Sequence, residues 1–270
     1  MKATQQSVAQ RGARTHPTSS RLYRAQRNRS KKKVAPGRRA PSTLSYTDTD
    51  GDKVRISASA GDLTGHATIV GGQLLFLDLS DPTFNGADIT FTVTRTGNGD
   101  GLAAVGRING GSNNFGTIVV RGDLGAITAG SGSATVPAIQ SLRVRSMGIY
   151  GLATQGNVGD LASILNGALG ALNVAGDVKD AIIFAAGTIG PVTIGGSLIG
   201  GVANQSGSIT ARDGLGVVTI GGSIRGGGGV TSGAVACTQD VARVTVGGSL
   251  IGGAGASSAR FSARKARPGR

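Results

Sequence analysis

Three segments of the chain carry nearly the same thirteen residues at intervals of 26. They are IGPVTIGGSLIGG (residues 189–201), LGVVTIGGSIRGG (residues 215–227) and VARVTVGGSLIGG (residues 241–253). The register also holds between these segments, since Ile209, Val235 and Phe261 follow one another at the same interval of 26. A fixed period of about 20–50 residues is the signature of a repeat architecture in which each unit stacks on the next.

Weaker copies of the pattern precede these three segments. One apolar position per copy gives a column with steps of 24, 30, 20, 26 and 26 residues, at Ile118, Leu142, Leu172, Val192, Val218 and Val244. Each copy holds short stretches in which apolar and polar residues alternate, such as Val192-Thr193-Ile194. Alternation with a period of two predicts a β-strand with one buried face. We expect the Gly-Gly pairs between strands to form corners, because glycine accepts positive φ without steric cost.

Three short strands in each unit predict one turn of a parallel β-helix, a β-solenoid in which successive turns pair their backbones. We therefore predict parallel β-helix repeats over residues 106–263. Neutral side chains fill two outward columns, so stacked like charges are avoided: Thr193, Thr219 and Thr245, and Ser197, Ser223 and Ser249. Upstream, Asp123 and Asp177 fall at the serine position, where a carboxylate can accept hydrogen bonds from corner amides.

Residues 41–105 follow a different pattern. Alternating segments around Thr43–Thr47 and Val54–Ser57 flank Asp48-Thr49-Asp50-Gly51-Asp52, and Asp-Gly between two such segments predicts a β-hairpin. Leu74–Leu79 and Ile89–Thr94 are further predicted strands. We interpret residues 41–105 as a small antiparallel β cap, which would cover the N-terminal edge of the solenoid.

The composition agrees with an all-β fold and excludes several classes of protein. The 270 residues include 48 glycines, no tryptophan and no glutamate, which argues against a helical bundle. A single cysteine, Cys237, excludes an intrachain disulfide, and the two histidines, His16 and His66, are too far apart in sequence to suggest a zinc site.

The net charge of +14 comes from the two ends of the chain. Residues 1–40 hold twelve Lys or Arg and no acidic residue, and their low apolar content predicts a disordered basic tail. Residues 264–270 form a second basic tail. We expect nucleic acid or an anionic surface to bind only through the first tail, with a solvated tail as the simpler interpretation. Residues 41–258 carry a net charge of −3.

The sequence predicts neither a signal peptide nor a membrane span. The basic start is not followed by the roughly 7–15 apolar residues that a secretory signal requires. The longest apolar run, residues 181–186, is far shorter than the approximately 20 residues of a transmembrane helix.

Several segments of this sequence resemble segments of a known group of proteins. VTIGGSLIGG at residues 192–201, the hairpin SYTDTDGDKV at 45–54, GDGLAAVGRING at 99–110 and LRVRSMG at 142–148 are similar to large glycine-rich repeat proteins of planctomycete and verrucomicrobial bacteria. The resemblance covers roughly residues 42–262. It implies a secreted or surface-displayed β-solenoid, to which no activity is assigned.

Asp48, Asp50 and Asp52 are the candidate metal ligands. Alternating aspartates in a turn can bind Ca²⁺, although an EF-hand would need an acidic residue at Ser59, the twelfth loop position. The alternative is a tight turn in which the aspartates accept hydrogen bonds from the local backbone. No other cofactor is expected.

Parallel β-helices also include polysaccharide lyases and hydrolases, so an enzyme is the second hypothesis. A hydrolase needs two carboxyl groups at a defined separation, and Asp123 and Asp177 share one predicted column about 10 Å apart. The other charged candidates in the repeats are Arg121, Arg143, Arg145, Lys179 and Asp180. The turn between the two aspartates supplies no acid, so the 26-residue stack favours a non-enzymatic structural or adhesive protein as the leading hypothesis. The resemblance implies that it is extracellular or at the cell surface, and polysaccharide or the cell envelope is the expected partner.

Overall fold

The computed structural model describes residues 41–133 and 135–263. These residues form an all-β structure in which a mostly parallel sheet curls into a half-barrel. The two basic tails predicted at residues 1–40 and 264–270 lie outside the described residues.

The first strands are antiparallel. They are β1 (Ser42–Thr47), β2 (Lys53–Ala58), β3 (Ala67–Val70), β4 (Gln73–Asp78) and β5 (Ile89–Thr94), with a turn of 3-10 helix at Pro82–Phe84. β1 and β2 form the hairpin that the Asp-Gly turn predicts. β2 also pairs antiparallel with β5, and β3 with β4.

The next strands connect this region to the repeats. They are β6 (Ala103–Asn109), β7 (Phe115–Ala129) and β8 (Ile139–Met147), followed by a second 3-10 turn at Gly151–Gln155. β4 pairs in parallel with β6, and β5 in parallel with β7. The antiparallel and parallel strands therefore belong to one continuous sheet, and residue 105 does not separate two sheets.

The repeats supply thirteen shorter strands among the described residues. They are β9 (Ala162–Leu165), β10 (Leu172–Val174), β11 (Val178–Lys179), β12 (Ile182–Ala185), β13 (Val192–Ile194), β14 (Leu198–Ile199), β15 (Ser208–Ala211), β16 (Leu215–Ile220), β17 (Ile224–Arg225), β18 (Ala234–Cys237), β19 (Val241–Val246), β20 (Leu250–Ile251) and β21 (Arg260–Ser262).

These strands form three parallel ladders. Ladder A runs through β5, β7, β8, β10, β13, β16 and β19. Ladder B runs through β6, β7, β8, β11, β14, β17 and β20. Ladder C runs through β4, β6, β7, β9, β12, β15, β18 and β21. From β10 onward, each repeat contributes one strand to each ladder in turn.

The predicted column of apolar residues is confirmed at every position. Ile118, Leu142, Leu172, Val192, Val218 and Val244 are direct partners in successive strands of ladder A. The column begins one strand earlier than predicted, since Ile89 of β5 pairs with Ile118. The second predicted column, Ile209, Val235 and Phe261, is formed in ladder C.

The Gly-Gly pairs lie between the strands as expected, but the reason we gave for them is wrong. Gly195, Gly196, Gly221 and Gly222 do not have positive φ. They are needed because stacked backbones approach closely: a Cβ atom on Gly221 would overlap the carbonyl oxygen of Gly195 in the preceding repeat. The short distance between layers, and not a left-handed backbone conformation, excludes a side chain from these corners.

The core is one continuous cluster of apolar side chains inside the curled sheet. Its three largest buried side chains, Phe84, Phe91 and Phe115, lie toward the N-terminal part, and the repeats contribute mainly Val, Ile, Leu and Ala. Within the described ranges, both helical segments are short 3-10 turns, so none has the length or apolar character to cross a bilayer.

Candidate functional site

The three hairpin aspartates converge at the turn between β1 and β2. One carboxylate oxygen of each lies within 4.8 Å of the others. Their surroundings differ, because Asp52 is buried, Asp48 is half-buried and Asp50 is exposed. The spacing Asp-x-Asp-Gly-Asp therefore brings the carboxylates together, although they are not equally accessible.

Asp52 fixes the hairpin to a distant loop. Its carboxylate accepts hydrogen bonds from the amides of Thr96 at 2.7 Å and Gly101 at 2.5 Å. The hydroxyl of Thr96 also donates to the carbonyl oxygen of Gly51. We expected bonds to the local backbone, but these bonds join residues that are 44 and 49 apart in sequence. Asp52 thus ties residues 96–101 to the turn.

The other two carboxylates also accept backbone hydrogen bonds. Oδ1 of Asp48 accepts from the amide of Asp52 at 2.8 Å, and Oδ2 of Asp50 accepts from the amide of Asp100 at 3.0 Å. The alternative of a hydrogen-bonded turn therefore accounts for the positions of all three aspartates. Each carboxylate keeps lone pairs beyond these bonds, and Ca²⁺ binding stays a prediction.

The pKa values of Asp48 and Asp50 are shifted in opposite directions. Partial burial and a hydrogen bond with the Asp50 carboxylate raise the pKa of Asp48 to about 6. The same hydrogen bond, together with the Asp100 amide, lowers the pKa of Asp50. At neutral pH the pair is mostly ionised, and below about pH 6 Asp48 can act as a proton donor to its neighbour.

A cleft of about 460 Å³ opens beside this pair. Asp48, Asp50, Asp100, Gln73 and Tyr150 lie along it. Asp100, Gln73 and Tyr150 were not predicted as site residues, because they come from segments far apart in sequence and only ladder pairing brings them together. Asp100, between Gly99 and Gly101, is the one of these three with a signal in the sequence, since aspartate flanked by glycines is typical of a turn. Leu102, Ala104 and Ala153 also line the cleft, so it combines carboxylates with apolar surface, as small-molecule binding sites do.

The second set of predicted residues has a structural role in the corners. Asp123 and Asp177 do share a column in ladder B, separated by Ser146 of β8. Asp123 is buried and accepts hydrogen bonds from the hydroxyl of Ser146 at 2.7 Å and the amide of Ile149 at 3.2 Å. Burial raises its pKa. Its environment stabilises a corner and leaves it inaccessible to a polymer.

Asp177 begins a ladder of side-chain hydrogen bonds. It accepts a hydrogen bond from the amide of Ser197 at 2.6 Å. Ser197 Oγ then accepts from the amide of Ser223, and Ser223 Oγ from the amide of Ser249, each at 3.0 Å. The predicted serine column is therefore a chain of contacts in which each repeat supplies the acceptor for the next.

A second serine column was missed. Ser206, Ser232 and Ser258 accept hydrogen bonds at 2.8 Å from the amides of Gly201, Gly227 and Gly253, respectively. The first two serines are buried. Their spacing of 26 residues is visible in the sequence, and comparing the repeats beyond the VTIGGS segment would have found them.

The remaining charged candidates come from strands β7, β8 and β11 and from the corner that follows β11. Arg121, Arg143, Arg145 and Lys179 are exposed, whereas Asp180 sits at a corner with φ of 59°. Arg143 belongs to the part of β8 in ladder A, and Lys179 to β11 in ladder B. Among the described residues, none of these basic side chains forms an ion pair with Asp123 or Asp177.

Comparison with models of protein families, with curated proteins and with solved structures finds no match to this chain. The resemblance to glycine-rich bacterial repeat proteins stays a prediction. The geometry of the described residues is accordingly the basis for the functional argument.

Proposed function

We propose that the chain is a parallel β-solenoid with an antiparallel N-terminal cap, and that it has a structural or adhesive role at a cell surface or outside the cell. Ladders A, B and C support the solenoid, because each repeat adds one strand to each of them. The antiparallel strands β1, β2 and β3 support the cap, since they cover the first parallel strands at one end.

The structural role is inferred from the hydrogen bonds that side chains make at the corners between repeats. Asp177, Ser197 and Ser223 each accept an amide of the following repeat, so the polar residues that recur with the period serve to hold the stack together. A catalytic role for these aspartates and serines would require side chains free to meet a substrate, whereas these side chains are engaged with the backbone. The outward column of Thr193, Thr219 and Thr245 gives a neutral surface suited to adhesion.

Binding to polysaccharide or isolated cell envelopes tests this role. We expect saturable retention of the full chain on one of these materials, with no release of soluble sugar products. A matched pair of variants locates the surface: Thr219→Lys in the outward column should weaken retention, whereas Asp240→Lys outside that column should leave it unchanged. Turnover of any polysaccharide, abolished by Asp50→Asn, would contradict a purely structural role.

The alternative hypothesis, a carbohydrate-active enzyme, is tested at the cleft that contains Asp48 and Asp50. The cleft beside β1 and β2 holds Asp48, Asp50 and Asp100, and the pKa of Asp48 is raised to about 6, a value suited to a general acid. Reducing-sugar release from acidic and neutral polysaccharides should then depend on Asp50 and Asp48. The exposed Asp240, distant in the repeats, provides the control variant Asp240→Asn. Equal activity of all variants would exclude the cleft.

A further inference from the structure

Asparagine is followed directly by glycine at four places in the described residues, and this pair is chemically reactive. The pairs are Asn85-Gly86, Asn98-Gly99, Asn109-Gly110 and Asn166-Gly167. The backbone nitrogen of the glycine, once deprotonated, can attack the side-chain amide carbon of the asparagine, and glycine hinders this attack least because it has no Cβ atom. The reaction needs an asparagine side chain that can turn and a glycine amide that is not held in a hydrogen bond.

Two of the pairs are held at both reacting groups. Oδ1 of Asn85 accepts the amide of Asn114 at 2.9 Å, and the amide of the following glycine donates to the carbonyl oxygen of Asn114 at 2.7 Å. Oδ1 of Asn109 accepts the hydroxyl of Thr128 at 2.9 Å, and the amide of the following glycine donates to the carbonyl oxygen of Thr128 at 2.7 Å. Attack at either asparagine must first break these hydrogen bonds.

The pair Asn98-Gly99 is held through its glycine. The amide of Gly99 donates to the carbonyl oxygen of Thr96 at 3.0 Å. Gly99 is also buried against the carboxylate of Asp52, which a Cβ atom at this glycine would overlap. A carboxylate this close disfavours loss of the amide proton, because the nitrogen would then carry a like charge. The hydrogen bond and the charge both oppose reaction at Asn98.

The pair Asn166-Gly167 has neither restraint. Asn166 is exposed, and no described residue forms a hydrogen bond with its side chain or with the amide of Gly167. Both residues line a cavity of about 250 Å³, together with Gly132 and Ser133. The cavity gives the side chain room to turn and gives water access to the product of the attack.

We propose that Asn166 is a site of spontaneous deamidation, at which water converts the asparagine into aspartate and isoaspartate. The amide nitrogen of Gly167 loses its proton to hydroxide and forms a bond to Cγ of Asn166, and the bond from Cγ to Nδ2 breaks. Nδ2 takes up a proton and leaves as ammonia, so a cyclic succinimide remains. Water then opens the ring: attack at Cγ gives aspartate, and attack at the backbone carbonyl carbon gives isoaspartate.

Isoaspartate changes the corner in which Asn166 lies. The main chain then runs through Cγ and is one carbon longer, and the former backbone carbonyl becomes a free carboxylate. In the unmodified chain the amide of Asn166 donates to the carbonyl of Ala129 at 2.8 Å, and its carbonyl accepts the amide of Gly132 at 2.7 Å. A longer main chain cannot keep both contacts in place, so conversion should lower the stability of the stack.

Later repeats provide a matched variant. Asn166 follows β9, and the residues that follow its ladder partners β12 and β15 are Ala186 and Arg212. Ala186 is followed by Gly187, so one repeat forms this corner with alanine and glycine. Asn166→Ala therefore removes the reacting amide group, keeps the glycine and copies a corner that the fold already contains.

Peptide mapping by mass spectrometry tests the assignment on the full-length protein, incubated in its folded state at mildly alkaline pH. Trypsin separates the four pairs into different peptides, since it cleaves after Arg55, Arg95, Arg107, Arg121, Arg145 and Lys179. The mass difference between an amide and a carboxylic acid identifies the product. We expect Asn166 to convert at least about tenfold faster than the other three, because the loss of one or two hydrogen bonds slows a reaction by about that factor.

The same protein unfolded in urea separates the effect of the fold from that of the local sequence. The hydrogen bonds are absent there, so the four rates should converge. Conversion of Asn85, Asn98 or Asn109 in the folded protein as fast as that of Asn166 would overturn the proposal. The same ratio of rates in urea as in the folded protein would also overturn it, since the neighbouring sequence and not the fold would then select the site.

Urea unfolding of incubated samples tests the consequence for stability. The unfolding midpoint of the wild type should fall as the converted fraction rises, whereas the midpoint of Asn166→Ala should stay constant over the same time. A wild-type midpoint that does not change after Asn166 has converted would contradict the loss of corner contacts. The proposed adhesive role is judged separately, because retention of freshly prepared protein on polysaccharide or envelopes does not depend on this reaction.

Discussion

Two neighbouring repeats, residues 215–240 and 241–263, have nearly the same motif but different degrees of burial. VTIGGSI in the first and VTVGGSL in the second form equivalent strands in ladders A and B. Val218, Ile220 and Ile224 are fully buried, whereas their counterparts Val244 and Val246 are half-buried and Leu250 is exposed. The sequence of a repeat sets which side chains face inward, and the presence of a following repeat decides whether they are removed from water.

This difference has consequences for stability and motion. Full burial of a leucine or isoleucine side chain contributes about 1.5–3 kcal/mol relative to exposure. The last described repeat obtains only part of this contribution, because its apolar side chains are partly exposed, and local opening is easiest where buried apolar contacts are few. We therefore expect the described repeats to be least stable at β19, β20 and β21, and the predictions below test that comparison.

The largest expected effect comes from truncating the same leucine in two repeats. Leu198→Ala removes a side chain that is 0% exposed, and should destabilise the protein by about 2–4 kcal/mol through lost burial and a cavity. Leu250→Ala removes one that is 51% exposed and should cost less than about 1 kcal/mol. Urea unfolding followed by circular dichroism gives both values. Equal costs would show that Leu250 is covered.

The missed serine column gives the next comparison. Ser232 is buried and accepts the amide of Gly227, so Ser232→Ala should leave a buried donor unsatisfied and cost about 1–2 kcal/mol. Ser258 accepts the amide of Gly253 in an exposed setting, where water can replace it, and Ser258→Ala should cost less than about 0.5 kcal/mol. The midpoints of urea unfolding compare the two variants; a larger cost at Ser258 would contradict the greater solvent exposure of the last described repeat.

A third variant should increase the stability of the last described repeat. Gly207 and Gly233 have φ of 58° and 61°, and a Cβ on either would overlap a backbone carbonyl. Ala259 occupies the equivalent position with φ of 49°, a conformation that costs a non-glycine residue free energy. Ala259→Gly should therefore stabilise β21 by up to about 1 kcal/mol. Slower hydrogen exchange in residues 260–262 would confirm it, and Ala254→Gly, which lacks positive φ, is the control.

The smallest effect is expected at the opposite end, in the hairpin. Because the folded state raises the pKa of Asp48 to about 6, it binds this proton more tightly than the unfolded chain does. The resulting stability is present below the ordinary carboxyl pKa and is lost as pH rises through about 6. Asp48→Asn mimics the protonated form, so wild type should lose stability relative to the variant between about pH 4 and pH 6, by less than about 1 kcal/mol after solvent screening.

Thermal unfolding of both proteins across this range measures the difference. The exchange rates of β19–β21 should not change, since the hairpin lies at the other end of the sheet. A stability difference that is flat with pH, or one that grows in the opposite direction, would contradict the raised pKa of Asp48.

The same comparison explains how much the sequence could predict. Inward positions such as Val192 and Ile209 follow from alternation and a fixed period, because both are local or repeated signals, and their pairing is confirmed. The reason for the glycine pairs was wrong, since the contact between Gly221 and Gly195 joins two layers and no local pattern reports interlayer distance. The hairpin was predicted by Asp-Gly, and its strands are confirmed.

The residues that line the cleft could not all be predicted from the sequence, for a different physical reason. Asp48 and Asp50 were identified as candidates, but Gln73, Asp100 and Tyr150 approach them only after β4, β6 and the Gly151–Gln155 turn are placed by ladder pairing. The greater solvent exposure of the last described repeat could not be predicted either, because Leu198 and Leu250 lie in identical GGSLIGG segments. Identical local sequence cannot report which neighbours are present.

Hydrogen exchange of the full-length protein, measured by mass spectrometry in dilute solution, tests the central claim most directly. The account predicts strong protection of amides in the interior ladders, including β13, β16 and β17, and a sharp fall across β19, β20 and β21. Uniformly slow exchange through residue 262 would contradict the greater solvent exposure of the last described repeat. Uniformly fast exchange throughout residues 106–263 would contradict the stacked ladders themselves.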